Sequence, residues 1–233
     1  MAEIADFHDR LDGIPLWFLA PPAPTSAVLM HHGLHSHKEA MAKEAWSLAH
    51  QGHLVVVVDA VAHGERQSPR DWNNFEVRFA SLRETALESA DLVGHLRHRF
   101  PSLQRIGGLG VSLGAFTLFS AIAEYPGLFD SASLMLGSPL WPQISPHSGL
   151  GQHSPHHWPD RFFPTALLVQ NAGQDEYVRS ADARDFVKTL RTYYQASPAR
   201  LSYLEYPHSG HFMRGDDWDA AWQETLSWFR ETL

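Results

Sequence analysis

The feature that most limits what this chain can fold into is the run Leu54-Val55-Val56-Val57-Val58-Asp59, apolar residues with no polar alternation. A strand of that kind must be covered on both faces, and doubly covered strands belong to parallel sheets flanked by helices. The same short apolar shape recurs at 27–31, 105–110, 131–137 and 165–170. Between these runs lie segments with helical spacing. Residues 38–51 carry Met41, Ala45, Leu48 and Ala49 on one stripe and close at Gly52. Residues 75–99 carry Phe79, Leu82, Ala86, Ala90, Val93 and Leu96, which predicts one long helix. Helices are also expected from 112, over 180–195 and over 217–231, with a strand at 200–206. The alternation predicts an α/β domain with a mostly parallel sheet and helices on both faces.

The start of the chain departs from the rhythm. Residues 14–19 read as an early edge strand, because Pro15 is tolerated where a strand has an unpaired side. A partner strand is expected at 3–10, joined through a turn at Asp12-Gly13. Residues 138–163 hold five prolines and four histidines with no helical or strand period, which predicts a lid-like insertion in a single domain spanning 1–233. Its Trp141, Trp158, Phe162 and Phe163 are the candidate walls of a substrate pocket, with core packing as the alternative.

Several function classes fall away on composition. A net charge of −8 with scattered Lys and Arg argues against nucleic acid or an anionic membrane as partner. No cysteine is present, so disulfides, thiolate zinc sites and cysteine nucleophiles are excluded. The acidic start Met-Ala-Glu-Ile-Ala-Asp is unlike a secretory signal, and no apolar run is long enough to span a bilayer, so a cytoplasmic protein is expected. Sixteen histidines are many for this length, gathered at His31-His32, His35, His37 and His153 to His157. They could be metal ligands, but no HExxH helix or carboxylate at ligand spacing accompanies them.

The chemistry-bearing motif is Gly110-Val111-Ser112-Leu113-Gly114, placed between an apolar run and a helix. A serine on such a sharp turn needs nearly side-chain-free residues two before and two after it, which Gly110 and Gly114 supply. Its hydroxyl is a weak nucleophile and needs a base, an orienting acid and an anion hole. His211 follows the strand at 200–206, and Asp175 follows the one at 165–170. Loops at the C-terminal ends of parallel strands open on one crevice, so the three can converge. His208 is a rival base and Glu176 a rival acid. The backbone amides of Leu113 and of Leu34, in His32-Gly33-Leu34, are the expected oxyanion donors.

With His32-Gly33, Gly-Val-Ser-Leu-Gly and Gly210-His211 in hand, the chain resembles an α/β-hydrolase of the serine esterase kind. It is similar to small bacterial enzymes of the dienelactone hydrolase and prolyl-oligopeptidase-like group, through Ser36 to Glu39 and Asp59 to Arg66 as well. The resemblance implies a mostly parallel sheet of about eight strands, acyl-enzyme chemistry and no cofactor. The triad points to a carboxylesterase, with an acyltransferase or peptidase on the same triad as the alternative, and the lack of a basic cluster near the motifs predicts small to medium neutral esters. His63 and His32 are expected to bridge loops by hydrogen bonds and not to act as the base.

Overall fold

The computed structural model describes residues 3–142, 144, 145, 147 and 149–233. Eight strands form one sheet: β1 (Ala5–Leu11), β2 (Ile14–Ala20), β3 (Ser26–His31), β4 (Leu54–Val58), β5 (Arg105–Val111), β6 (Ser131–Met135), β7 (Ala166–Ala172) and β8 (Leu201–Tyr206). Their spatial order is β1-β2-β4-β3-β5-β6-β7-β8. β2 runs antiparallel to both neighbours, and every pair from β4 to β8 is parallel. The connections are α1 (Ala42–His50), α2 (Phe75–Leu87), α3 (Ser89–Arg99), α4 (Leu113–Glu124), α5 (Ser180–Leu190) and α6 (Gly215–Thr232). This is the expected α/β-hydrolase architecture.

The unalternating runs are explained by what covers them. Along β3 and β4, Leu29, Leu54, Val56 and Val58 join a core with α3, α4 and α5. Their neighbours Val28, Met30, Val55 and Val57 point the other way, to α1 and α6. Successive side chains thus enter two separate apolar layers. The aromatic stripe of α6 is spent on the second layer, where Trp222 and Phe229 are buried.

Two expectations need correction. The strand at 14–19 is interior, lying between β1 and β4. Pro15 is accommodated at the end of the β2–β4 ladder, beyond the Leu16–Val58 pair. Its carbonyl accepts from the Asp59 amide at 3.3 Å, and the rung its missing N–H would have made is supplied by Arg66, whose Nη1 donates to the Asp59 carbonyl at 3.2 Å. The helix expected over 75–99 is two helices, parted at Glu88. Ser81 and Thr85 bond back to carbonyls four residues earlier, a pattern that bends helices, and Arg66 grips the Glu88 carboxylate with two N–H groups at 2.6 and 2.8 Å.

Residues 138–163 take short 3-10 turns at Gly151–His153, Pro155–His157 and Pro159–Arg161. One internal bond, from the Trp141 amide to the Ser154 hydroxyl at 2.9 Å, pins those two residues to each other. The segment is tied to the body where Arg161 donates to the Ala123 carbonyl at 3.0 Å and the Tyr194 hydroxyl to that of Phe162 at 2.8 Å. Gln143, Pro146 and Ser148, within the insertion as expected from sequence, lie outside the described residues.

Candidate active site

The sheet reverses its winding between β3 and β5, since β4 lies on one side of β3 and β5 on the other. In open α/β sheets, ligands bind in the crevice outside the strand ends at that point. His31 at the end of β3 is in register with Gly110, so the His32-Gly33-Leu34 loop and the Ser112 turn sit side by side.

Ser112 has φ 54° and ψ −116°, a left-handed backbone that a residue with a Cβ adopts only when its surroundings hold it there. The glycines around it explain how. A Cβ on Gly114 would stand 2.0 Å from the His31 carbonyl oxygen, and one on Gly110 would stand 2.3 Å from that of Gly114. The turn therefore closes against β3 with no room for a side chain. It leaves the hydroxyl at the N-terminus of α4, where backbone amides have no partner in the helical ladder.

Two further turns meet it. The Gly173 amide donates to the Tyr206 carbonyl at 2.8 Å, and that of Gln174 to the Ser209 carbonyl at 2.9 Å. A Cβ on Gly173 would lie 2.8 Å from the Pro207 Cα, so the absence of a side chain lets the loops after β7 and β8 touch. Their side chains then meet. The His211 Nδ1 lies 2.7 Å from Asp175 Oδ2, and its Nε2 lies 2.9 Å from the Ser112 hydroxyl. The Asp175 carboxylate is fully buried, and its Oδ1 also accepts from the amides of Tyr177 and Val178 at 2.9 and 2.8 Å. A carboxylate accepts at Nδ1, so the proton sits there and Nε2 faces the serine as an acceptor. His208 is exposed, and Glu176 bonds the His211 backbone amide at 3.3 Å, so neither stands in the Ser–His–Asp line.

His32 sets the neighbouring loop. Its Nε2 accepts from the Ala60 amide at 3.1 Å, which leaves the proton on Nδ1, 2.8 Å from the Gly33 carbonyl. That carbonyl and the Leu34 N–H belong to one planar peptide, so aiming the first aims the second. Burial holds the His32 imidazole down to about 4, which keeps it neutral in this role. His63, expected to bridge loops as well, instead donates from Nδ1 to the Val61 carbonyl of its own loop at 2.9 Å. His31, fully buried below the turn, has no hydrogen-bond partner on either ring nitrogen among the described residues, and burial pushes it down to about 3. No group of three His, Asp or Glu side chains able to hold a metal occurs among the described residues.

Ser112, His211 and Leu34 line a cleft of about 620 Å³. Its walls are not those expected from sequence. Phe162 is buried against Phe119 and Phe186, Trp158 packs on the core beneath Arg161, and Phe163 lies beside Tyr194. Trp141 is buried too, stacked 5.1 Å from Phe79 behind the cleft. The insertion spends these rings on anchoring itself. The walls are instead Tyr177, Phe212, Met213, Trp218 and Arg78. Tyr177 and Phe212 are 69% and 84% exposed and flank His211 with centroids 5.3 and 5.8 Å away. Their adjacency in sequence to Asp175 and His211 was the available signal. Arg78, in the first turn of α2 and far in sequence from the triad, offered none.

Comparison with known proteins bears on the family and the fold. A family model described as serine aminopeptidase, S33 (Hydrolase_4) matches residues 22–190, a span that includes Ser112 and Asp175. A Bacillus subtilis (strain 168) protein named "Putative esterase YitV" is 26% identical over 88% of this chain and 89% of its own length. Among solved structures, TT1662 from Thermus thermophilus superposes with a TM-score of 0.85 at 23% identity, covering 98% of both chains. A protein described as "Putative Dienelactone Hydrolase" from Klebsiella pneumoniae gives 0.73 at 17% identity, covering 98% of this chain and 99% of its own. No helix among the described residues is long and apolar enough to cross a membrane.

Proposed function

Because this chain belongs to the Hydrolase_4 family of serine aminopeptidase S33 hydrolases, we propose that it is a serine-dependent carboxylesterase of small to medium esters working through an acyl-enzyme. The carrying observation is the continuous line of hydrogen-bonding distances, 2.9 Å from Ser112 to His211 and 2.7 Å from His211 to buried Asp175. In this reading His211 Nε2 takes the Ser112 proton as the oxygen attacks the ester carbonyl. Asp175 holds the imidazole and stabilises its charged form. The developing oxyanion rests on the amides of Leu113, the first residue of α4, and of Leu34, whose peptide His32 orients. His211 returns the proton to the departing alcohol, and water repeats the sequence to release the acid. Residues 138–163 serve as the lid-like insertion, whose Pro142 borders a small apolar side pocket with Leu34, Leu113 and Phe116.

The test is hydrolysis of p-nitrophenyl butyrate by the parent and by Ser112→Ala. The expected result is a loss of at least about 10³-fold in kcat with folding intact, together with phosphonate-probe mass on Ser112 alone. An unchanged rate in Ser112→Ala defeats the proposal. The family description favours one second reading, peptidase action on the same triad. Turnover of aminoacyl p-nitroanilides above that of the ester would select it.

A further inference from the structure

Resting on that reading, we infer that Arg78 is a specificity residue of the cleft and that it selects esters carrying a carboxylate on the part held beside the serine. Arg78 projects from α2 into the wall of the cleft that holds Ser112 and His211. Three other arginines that lie on α2 or bond carboxylates at its C-terminal half are each matched: Arg66 with Glu88, Arg70 with Glu84 and Arg83 with Glu124. Unlike these three, Arg78 has no carboxylate partner among the described residues and is held by a carbonyl and a ring.

What holds it leaves most of the guanidinium unused. Nε and Nη2 donate to the Trp72 carbonyl at 3.1 and 2.5 Å, and the guanidinium carbon lies 4.9 Å from the Phe75 ring centroid. A guanidinium has five N–H donors, so three remain, on a group already fixed in orientation. Burial depresses the Arg78 pKa below its ordinary value, as expected for a cation short of a compensating charge. The rest of the wall is largely aromatic or aliphatic, through Tyr177, Phe212, Met213 and Trp218. An isolated, oriented cation in such a wall matches a planar carboxylate, which accepts two parallel N–H bonds. A phosphate monoester would bring about two negative charges against this single cation. A charged substrate of this kind differs from the neutral one expected from sequence, where nothing links residue 78 to the motif at 112.

The experiment compares two acyl chains of equal length, p-nitrophenyl hexanoate and the mono-p-nitrophenyl ester of adipic acid, in the parent, Arg78→Met and Arg78→Lys. The parent is expected to favour the adipate ester at least tenfold in kcat/KM. Arg78→Met should reduce that ratio at least tenfold through KM, with Arg78→Lys between them. Because the readout is a ratio, general damage to the enzyme cancels. A measurement that needs no variant accompanies it: free adipate, and not adipamide, should inhibit hexanoate hydrolysis by the parent competitively. Hexanoate turnover with no charge preference and no adipate inhibition overturns the role of Arg78 while leaving the esterase reading intact. Turnover of neither ester removes both.

Discussion

Lowering the pH from 7 to 5 should destabilise this protein steeply, and the cause lies beneath the active site. His31 and His32 are buried and held down to about 3 and about 4, against an ordinary 6.5. The unfolded chain therefore takes up protons that the folded one refuses. Stability is complete above pH 6.5 and falls as the pH drops below it, continuing until the folded-state values are reached. At pH 5 each imidazole lies 1.5 units below 6.5 and still above its folded value, so each costs about 2 kcal/mol and the pair about 4 kcal/mol. Burial depresses His53, His63 and His156 in the same direction, so the pair sets a lower bound. Against a total stability of about 5–15 kcal/mol, this is a large fraction. Urea unfolding at pH 7, 6 and 5 measures it. The pair alone should lower stability by about 2.4 kcal/mol between pH 6 and 5, and His31→Leu should remove about 1.2 kcal/mol of that fall. His31→Leu should also hold its stability at pH 7, because the imidazole it replaces buries polar atoms without partners. Flat stability across this range, or an unaltered slope in His31→Leu, would refute the reasoning.

Two further outcomes follow from the turn and its neighbour. Gly114→Ala places a methyl carbon 2.0 Å from a backbone oxygen of β3, so it should lower the unfolding free energy by about 3 kcal/mol or more in chemical denaturation. His32→Phe keeps a planar ring, slightly larger, but releases the Gly33 carbonyl, so kcat on p-nitrophenyl butyrate should fall about tenfold to 10²-fold with KM little moved. An undiminished kcat would separate His32 from the aim of the Leu34 amide.

The parts of the fold legible in the sequence are those whose cause is local. Val55 to Val58 read as a doubly buried strand because both faces of the sheet demand apolar side chains, and no other constraint intrudes. The break at Glu88 was hidden, because its causes are an arginine 22 residues earlier and hydroxyls that look ordinary on a helix. Pro15 pointed to an edge, a sound local inference defeated by Arg66 supplying the missing rung. At the site, Ser112, Asp175 and His211 stood out because each follows an apolar run and the glycines near them mark close approaches. The cleft walls did not. Trp158 and Phe162 carry the same aromatic character as Tyr177 and Phe212, and only packing tells a ring used as an anchor from one left facing solvent.

The two turns that bear Asp175 and His211 are stitched to each other by main-chain hydrogen bonds, whereas Ser112 is braced against β3 in the middle of the sheet. Acid and base therefore share one stitched pair of turns after the last two strands, and the nucleophile stands on a separate turn nearer the centre of the sheet. Mild heat or denaturant should part imidazole from hydroxyl first, because that contact joins two turns and the other lies within the stitched pair. The pairing of imidazole and carboxylate outlasts it, so activity should vanish before the proton on Nδ1 loses its place.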